Sequence, residues 1–547
     1  MISQAALQHW ENSKPLIRKG YEVLGKEVTM GLPGTAFPAA SAEADTGIGS
    51  PYGDGAKKVA DFFSGVIDKI LLNPTGETFP PDYSPYMSTM GYNPFFIPLE
   101  SAPYLSPKAL AEVYANSVKG TNVDFNSVAK NYHKALKAMY KNFLSALDNN
   151  EKEALKTKKQ IELFTKANPY IVDDALFYHA KEVDYYLFVE YIASSFIKSY
   201  PFPYIGDIQV RIPYTIYKSH PEDFLTDFTL GAPPDMFSAE GQRWGFPVLN
   251  PEKMFTKSGS LGSAGKILYA IFDQTFKRNQ AGIRIDHYIG MVNPYVFPTN
   301  PENEAGRLYS SPKNPLLKKY VKHTTAEFAD ITTEIILKCA EKNNFSIDNI
   351  YIEDIGMRPV QLDKVMTMLG LGRMLVSQFV EPWNKKHIYR LKLAKPRDIA
   401  AIDTHDTPSI QEFFAGLDEH MRELHAGLLA EDLRFNYAAD LKEPDNLVRM
   451  KWGELMASPA KRVQAFFCSL IGQEGRYNDP SKQDNWHLRC PHDFADLYLN
   501  NLKAGKAYNP FDAISLGIYA RGDKFFAKHK KLVEDLRTAE QTLFNLL

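Results

Sequence analysis

The chain has 547 residues, 44% of them hydrophobic and 13% aromatic, which is enough to bury a large core in one elaborated domain or in several ordinary ones. Its 63 Lys+Arg against 65 Asp+Glu give a formal net charge of -2, so there is no global field to attract nucleic acid or an anionic membrane, and a neutral polar substrate fits better. Cys339, Cys468 and Cys490 are odd in number and show no C-x-x-C spacing, which argues against a disulfide framework or zinc knuckle. Met1–Gly20 lacks a signal-peptide core and no run reaches the ~18 apolar residues a membrane span needs, so the expected location is cytoplasmic.

Short apolar, β-branched runs alternate with helical or irregular stretches, which predicts an α/β protein. The first two candidate strands are Val28–Leu32 and Val66–Leu72. Stiff loops follow them: Gly31-Leu-Pro-Gly, Asn73-Pro-Thr-Gly and Phe79-Pro-Pro-Asp-Tyr-Ser-Pro-Tyr. The apolar spacing of the next stretch, clearest over Val128–Tyr140, predicts helices from Pro107 to Lys198, a helical subdomain at 101–200 in which Tyr185, Tyr186 and Phe188 serve as packing residues. The third candidate strand is Tyr204–Val210. A loop region over 231–262, carrying Gly231-Ala-Pro-Pro-Asp, precedes the fourth, Gly282–Asp286. Asn349–Glu353, Arg373–Phe379 and Asp398–Asp403 come next, then a second helical insertion over 409–462, then Ala465–Ile471. Eight strands is the number a closed barrel needs, so the expected fold is a (β/α)8 TIM barrel with helical insertions between strands, spanning 1–547 as one domain.

Three of these strands end abruptly in an acid: Gly282-Ile-Arg-Ile-Asp-His-Tyr, Asn349-Ile-Tyr-Ile-Glu-Asp-Ile-Gly and Ala401-Ile-Asp-Thr-His-Asp-Thr. A carboxylate at the C-terminal end of a barrel strand faces the mouth, where a rigid strand can aim it at a substrate. Asp286, Glu353 and Asp406 therefore point to glycoside chemistry, in which one carboxylate attacks and a second, ~5–5.5 Å away, protonates the leaving oxygen. Arg284, two positions before Asp286 on the same strand face, is expected to keep Asp286 ionised as the nucleophile. Glu353 follows the apolar Ile350-Tyr-Ile, so partial burial is expected to raise its pKa for acid/base work. Asp354 is the rival, but neighbours on a strand face opposite ways and only one of the two should reach the mouth. Asp406 beside His405 pairs a charged acceptor with a donor, as hydroxyl binding requires.

These motifs resemble those of the amylomaltases, the 4-α-glucanotransferases of glycoside hydrolase family 77. The resemblance runs in order through Gly47-Ile-Gly, Ser84-Pro-Tyr, Asn93-Pro, Gly206-Asp207, Pro233-Pro-Asp, Gly241-Gln-Arg-Trp-Gly, Arg284-Ile-Asp-His, Glu353-Asp-Ile-Gly, Thr404-His-Asp and Asn485-Trp, and so covers nearly the whole chain. It implies a retaining transglycosylase on a (β/α)8 barrel, acting on maltooligosaccharides and α-1,4-glucans as donor and acceptor, with no metal or organic cofactor. It further implies Asp286 as nucleophile, Glu353 as acid/base and Asp406 as the third acid, with Arg284, His287 and His405 around the same sugar. Tyr86, after Ser84, corresponds to an aromatic stacked on the glycone. Asp235, Phe237, Gln242 and Trp244 fall on a loop over the acceptor sites, and Asp207 and Asn478 are further matched positions.

The sequence departs from the family pattern at Ile289, where an arginine is usual, at Thr407-Pro-Ser after Thr404-His-Asp, and at Met236 in place of a tyrosine. These changes bear on chain-length preference and transfer efficiency. Two other readings of the same residues remain: an α-1,4-glucan hydrolase on this barrel, and a catalytically silent glucan-binding scaffold.

Overall fold

The computed structural model describes residues 2–197, 201–233, 241–292, 294–299, 329–353, 360–436, 438–479, 481–482 and 484–547. Eight short parallel strands make its centre: Glu27–Gly31, Lys69–Leu71, Tyr204–Ile208, Gly282–Ile285, Ile350–Ile352, Met374–Val376, Ile399–Ala401 and Arg462–Phe466. Each pairs with its neighbour in chain order, in registers such as Thr29↔Lys69, Ile205↔Gly282 and Ile283↔Ile350. The eighth strand returns to the first through Glu27↔Arg462, and a bridge between Ile352 and Arg373 joins the fifth strand to the start of the sixth. The ring is closed, and the fold is a (β/α)8 barrel.

Strand alternation explains how apolar runs yield both a core and a site. Ile283 and Ile285 point outward into a cluster with Ile271, Phe272 and Ile350, which leaves Arg284 between them to point into the barrel. Below the mouth the interior is filled by Leu71, Ile205, Tyr351, Met374, Val376, Ile399 and Ala401. Polar groups are therefore confined to the upper end.

The helices Pro107–Asn116, Phe125–Asp148, Lys152–Ala167, Pro169–Tyr178 and Val183–Phe196 occupy the long insertion, whose last residue, Lys198, lies outside the described residues. Val113, Phe125, Tyr132, Met139 and Phe188 belong to one apolar cluster with Tyr204 of the third strand and with Phe37 and Ile97 of the loops after the first and second strands. Tyr186 and Phe188 are buried and Phe188 stacks on Phe143 at 4.7 Å, while Tyr185 is partly buried. The 409–462 insertion holds the helices Ile410–Gly416, Glu419–Leu433 and Pro444–Ala457.

Two sequence expectations need correction. The last strand is Arg462–Phe466 rather than Ala465–Ile471; Phe467–Ile471 is a short helix, stopped by Gly472 at φ 72. An apolar run buried on every side reads the same as strand or helix, and periodicity does not separate them. The region expected as a loop over 231–262 contains the strand Gln242–Phe246 and the end of Phe228–Ala232, which form an antiparallel sheet with Tyr295–Pro298, Ala232 opposite Gln242 and Leu230 opposite Val296.

Candidate active site

The acids expected at strand ends are anchored by the barrel's own hydrogen-bond ladder. The Asp286 N–H donates to Ile208 O at 3.0 Å, and the Glu353 N–H donates to Ile285 O at 3.1 Å, so both residues extend their strands into the mouth. Asp207, on the third strand, points to the same place. Arg284 joins all three carboxylates. Its Nη1 lies 2.5 Å from Asp207 Oδ2, and its Nη2 lies 3.2 Å from Asp286 Oδ1 and 2.9 Å from Glu353 Oε1. Because one nitrogen reaches both Asp286 and Glu353, those carboxylate oxygens are no farther apart than the sum of the two distances.

Exposure sorts this group into floor and working surface. The Arg284 and Asp207 side chains are each 2% exposed, against 18% for Asp286, 12% for Glu353 and 36% for Asp406. Arg284→Met, which leaves three carboxylates without their cation, is expected to destabilise the fold by about 3–5 kcal/mol. Urea unfolding measures it, and a midpoint unchanged from the parent would contradict the pairing.

Tyr86 stands over the floor, carried by the turn Pro85–Met87 in the loop after the second strand. Its hydroxyl donates to Asp207 Oδ2 at 2.7 Å and accepts from Arg284 Nη1 at 3.2 Å. Ser84 is buried at the head of that turn and accepts the Met87 N–H through its carbonyl at 3.1 Å. The Tyr86 ring stacks on His405 at 5.2 Å and 22°. His405 Nε2 is 3.1 Å from Asp406 Oδ2, while Asn478 Nδ2 donates to Asp406 Oδ1 at 2.6 Å. The turn beneath them is closed by Thr407, whose Oγ1 accepts the Thr404 N–H at 3.0 Å.

On the other side, Trp244 sets its ring edge-on to His287 at 4.8 Å and 81°, and its indole N–H donates to Gln242 Oε1 at 3.1 Å. Both sit on Gln242–Phe246, where Gln242, Trp244 and Phe246 are half-buried and Arg243 and Gly245 are exposed. Ile289 packs against the apolar cluster outside the fourth strand. Asp235, Met236, Phe237 and Asp354 lie outside the described residues.

His287 carries a backbone outlier, φ 41, in the left-handed region that side chains seldom adopt. The turn delivers its N–H to Glu353 Oε2 at 2.7 Å. Gly290 makes room for it, since a Cβ there would meet His287 Cδ2 at 2.6 Å.

The electrostatics of the acid pair differ from the sequence expectation. Burial and the neighbouring Glu353 carboxylate push Asp286 well above the usual carboxylate range despite Arg284. Burial works to raise Glu353 as well, but Arg284 and the His287 N–H outweigh it and hold Glu353 below its usual value. Distance decides the order: Glu353 has the closer guanidinium contact and a main-chain donor that Asp286 lacks among the described residues. Two carboxylates this close titrate as a pair sharing one proton. Asp406 is different. Burial opposes its ionisation, yet His405 and Asn478 bring it down to about 2.

Two contributors were given no site role from sequence, although Asn73 opens a stiff loop and Trp486 falls in the Asn485-Trp match. Asn73, directly after the second strand, donates to the Tyr86 hydroxyl at 3.3 Å. Trp486, at φ 70, holds its ring 5.8 Å from Tyr86 and 6.1 Å from His405. Asn73 had the signal of a polar residue closing a barrel strand, and Trp486 that of a tryptophan among polar residues.

The 4-alpha-glucanotransferase family model of glycoside hydrolase family 77 matches residues 38–187 and 216–494. A 4-alpha-glucanotransferase of Chlamydia pneumoniae is 24% identical over 397 residues, covering 64% of this chain and 68% of the relative. One of Aquifex aeolicus is 24% identical over 302 residues, covering 53% and 54%. Among solved structures, the amylomaltase from Streptococcus agalactiae in complex with acarbose superposes with a TM-score of 0.68 at 17% identity, covering 91% of this chain and all of the other. The amylomaltase from Corynebacterium glutamicum gives 0.64 at 15% identity, covering 94% and 76%.

Proposed function

Because the chain belongs to the 4-alpha-glucanotransferase family of glycoside hydrolase family 77, we propose that it cleaves α-1,4-glucans with Asp286 and Glu353 and passes the glycosyl segment to the 4-hydroxyl of an acceptor glucan. The observation that carries this reading is the shared Arg284 nitrogen, 3.2 Å from Asp286 Oδ1 and 2.9 Å from Glu353 Oε1, which keeps these two oxygens closer than the ~6.5–9.5 Å that inverting chemistry leaves for a water. Asp286 attacks the anomeric carbon while Glu353 gives a proton to the departing oxygen, leaving a covalent glycosyl-enzyme. Glu353 then takes the proton of an acceptor 4-hydroxyl, which attacks the same carbon, breaks its ester bond to Asp286 so that the carboxylate is released, and restores the starting configuration. The pair needs one proton to begin. The two carboxyls share it, and a donor sugar entering between them leaves it to Glu353, which must protonate the glycosidic oxygen.

Around this pair, Asp406 stays ionised and, with His405, takes sugar hydroxyls on the glycone side, where Tyr86 offers a flat face to glucose C–H groups. Gln242 and Trp244 serve the acceptor side, together with Asp235 and Phe237. The apolar cluster common to barrel and insertion supports reading 1–547 as one catalytic unit, and the near-neutral charge supports a polar, uncharged substrate. Cys339, Cys468 and Cys490 are free and buried, which supports a reducing, cytoplasmic location; among the described residues no helix is long and apolar enough to cross a membrane.

Incubation with maltotriose tests the reading. Longer oligomers together with glucose are expected; shorter products alone would make the protein a hydrolase, and unchanged substrate a silent scaffold. Trp244→Ala is expected to lower transfer to long acceptors by about tenfold, with donor cleavage much less affected. An unaltered ratio of transfer to hydrolysis would remove Trp244 from the acceptor site.

A further inference from the structure

Residues 88–93, directly after the turn that carries Tyr86, form neither helix nor strand; the Thr89 and Asn93 N–H groups donate to the Glu77 and Thr75 carbonyls at 3.0 and 3.2 Å, and several of the other backbone groups turn to side chains for partners. On one side the carbonyls are taken. Arg211 Nη1 donates to Met87 O at 2.7 Å, Gln209 Nε2 to Ser88 O at 2.9 Å, and Gln274 Nε2 to Met90 O at 3.3 Å. Arg278 donates to both Met90 O and Gly91 O. On the other side two of the amides go to carboxyls of the helical insertion. The Met90 N–H donates to Asp174 Oδ2 at 3.2 Å, and the Tyr92 N–H donates to Glu190 Oε1 and Oε2 at 3.1 and 2.8 Å. Asp174, in Pro169–Tyr178, and Glu190, in Val183–Phe196, are 0% and 1% exposed.

A small cleft of ≈ 50 Å³ runs along this segment, lined by Thr75, Ser88, Met90, Gln209 and Gln274 among others, so it is not walled in on every side once the polar ties are cut. The contact with the insertion is close: a Cβ at Gly91 would lie 2.7 Å from Glu190 Oε1 and 2.8 Å from the Tyr186 hydroxyl.

We propose that Asp174 and Glu190 are positioning residues for the transfer reaction, gripping residues 88–92 from the insertion and thereby holding Tyr86 on Asp207 and against His405. This gives the insertion a part in the chemistry without its touching the sugar, and it rests on Tyr86 belonging to the donor site. The grip does not require a negative charge. Burial pushes Asp174 up to about 6 and Glu190 well above the carboxylate range, so a neutral amide that keeps the acceptor oxygen is a fair replacement.

A double-mutant cycle with Tyr86 tests the proposal, using donor kcat/KM in maltooligosaccharide transfer by the full-length protein. Glu190→Ala is expected to lower kcat/KM by about tenfold, and by less than about twofold when Tyr86→Ala is already present, because coupled residues are not additive. Glu190→Gln is expected to stay within about twofold of the parent, a rescue that follows the hydrogen bond rather than the charge. If Glu190→Ala does not fold, Gly91→Ala serves instead: it pushes the main chain off an intact carboxyl and is expected to show the same loss and the same dependence on Tyr86. Equal losses in both Tyr86 backgrounds, or a lowered Tm with unchanged kcat/KM, would overturn the positioning role and leave the transferase reading standing. A parent protein that turns over no glucan would overturn that reading and this inference with it.

Discussion

Asp286→Asn is expected to abolish transfer and hydrolysis together, lowering kcat by on the order of 10⁴–10⁶-fold, the scale of losing a nucleophile from a working constellation. The amide has nearly the same shape, and Arg284 keeps two of its carboxylate partners, Asp207 at 2.5 Å and Glu353 at 2.9 Å. The site should therefore remain assembled and bind glucan while no bond to the anomeric carbon can form. The amide also takes no proton, so the shared titration disappears and Glu353 loses the neighbour that competes for its charge. Product analysis on maltotetraose, with glucan affinity measured in parallel, separates the effects. Residual turnover within about 100-fold of the parent would mean that another carboxylate attacks.

Glu353→Gln fails differently, because a general acid matters only when the leaving group needs a proton. On ordinary maltooligosaccharides the loss is expected at about 10²–10⁴-fold, whereas a maltosyl fluoride departs without help and should still load Asp286. Deglycosylation also lacks its base, so the covalent intermediate should accumulate. The amide oxygen of the variant can still accept the His287 N–H, which Glu353 now receives at 2.7 Å, and the local turn should survive. Comparing initial rates on maltotriose and on the fluoride reads out the split. Equal losses on both donors would take the acid role from Glu353.

The barrel is legible in the sequence because its strands are buried on both faces, so each appears as a short apolar run that stops where the mouth begins. Ile283 and Ile285 packing outward with Arg284 inward is that pattern at one strand. Where the apolar run continues past the strand end, as from Ala465 to Ile471, the boundary is lost, since strand and buried helix use the same residues. The small antiparallel sheet escapes for the opposite reason: Gln242–Phe246 is half-polar and glycine-bearing, and it pairs with 228–232, which in turn pairs with the distant 295–298. In the site, residues that close strands stand out, as Asp286 and Glu353 do. Asn73 and Trp486 arrive through loops whose path no local pattern fixes. The coupling of Asp286 to Glu353 was unreadable for a further reason: it depends on one Arg284 nitrogen meeting both carboxylates and on one main-chain N–H, neither of which composition encodes.

The most direct test of the account is to locate the covalent sugar. Glu353→Gln is mixed with maltosyl fluoride, quenched, digested, and the modified peptide is sequenced by mass spectrometry. The assignment of Asp286 as nucleophile, opposite Glu353 on the same arginine, predicts one maltosyl unit esterified to Asp286 and no adduct when Asp286→Asn is added to the variant. Attachment to Asp406 or Asp354, or an adduct that persists without the Asp286 carboxylate, would contradict it.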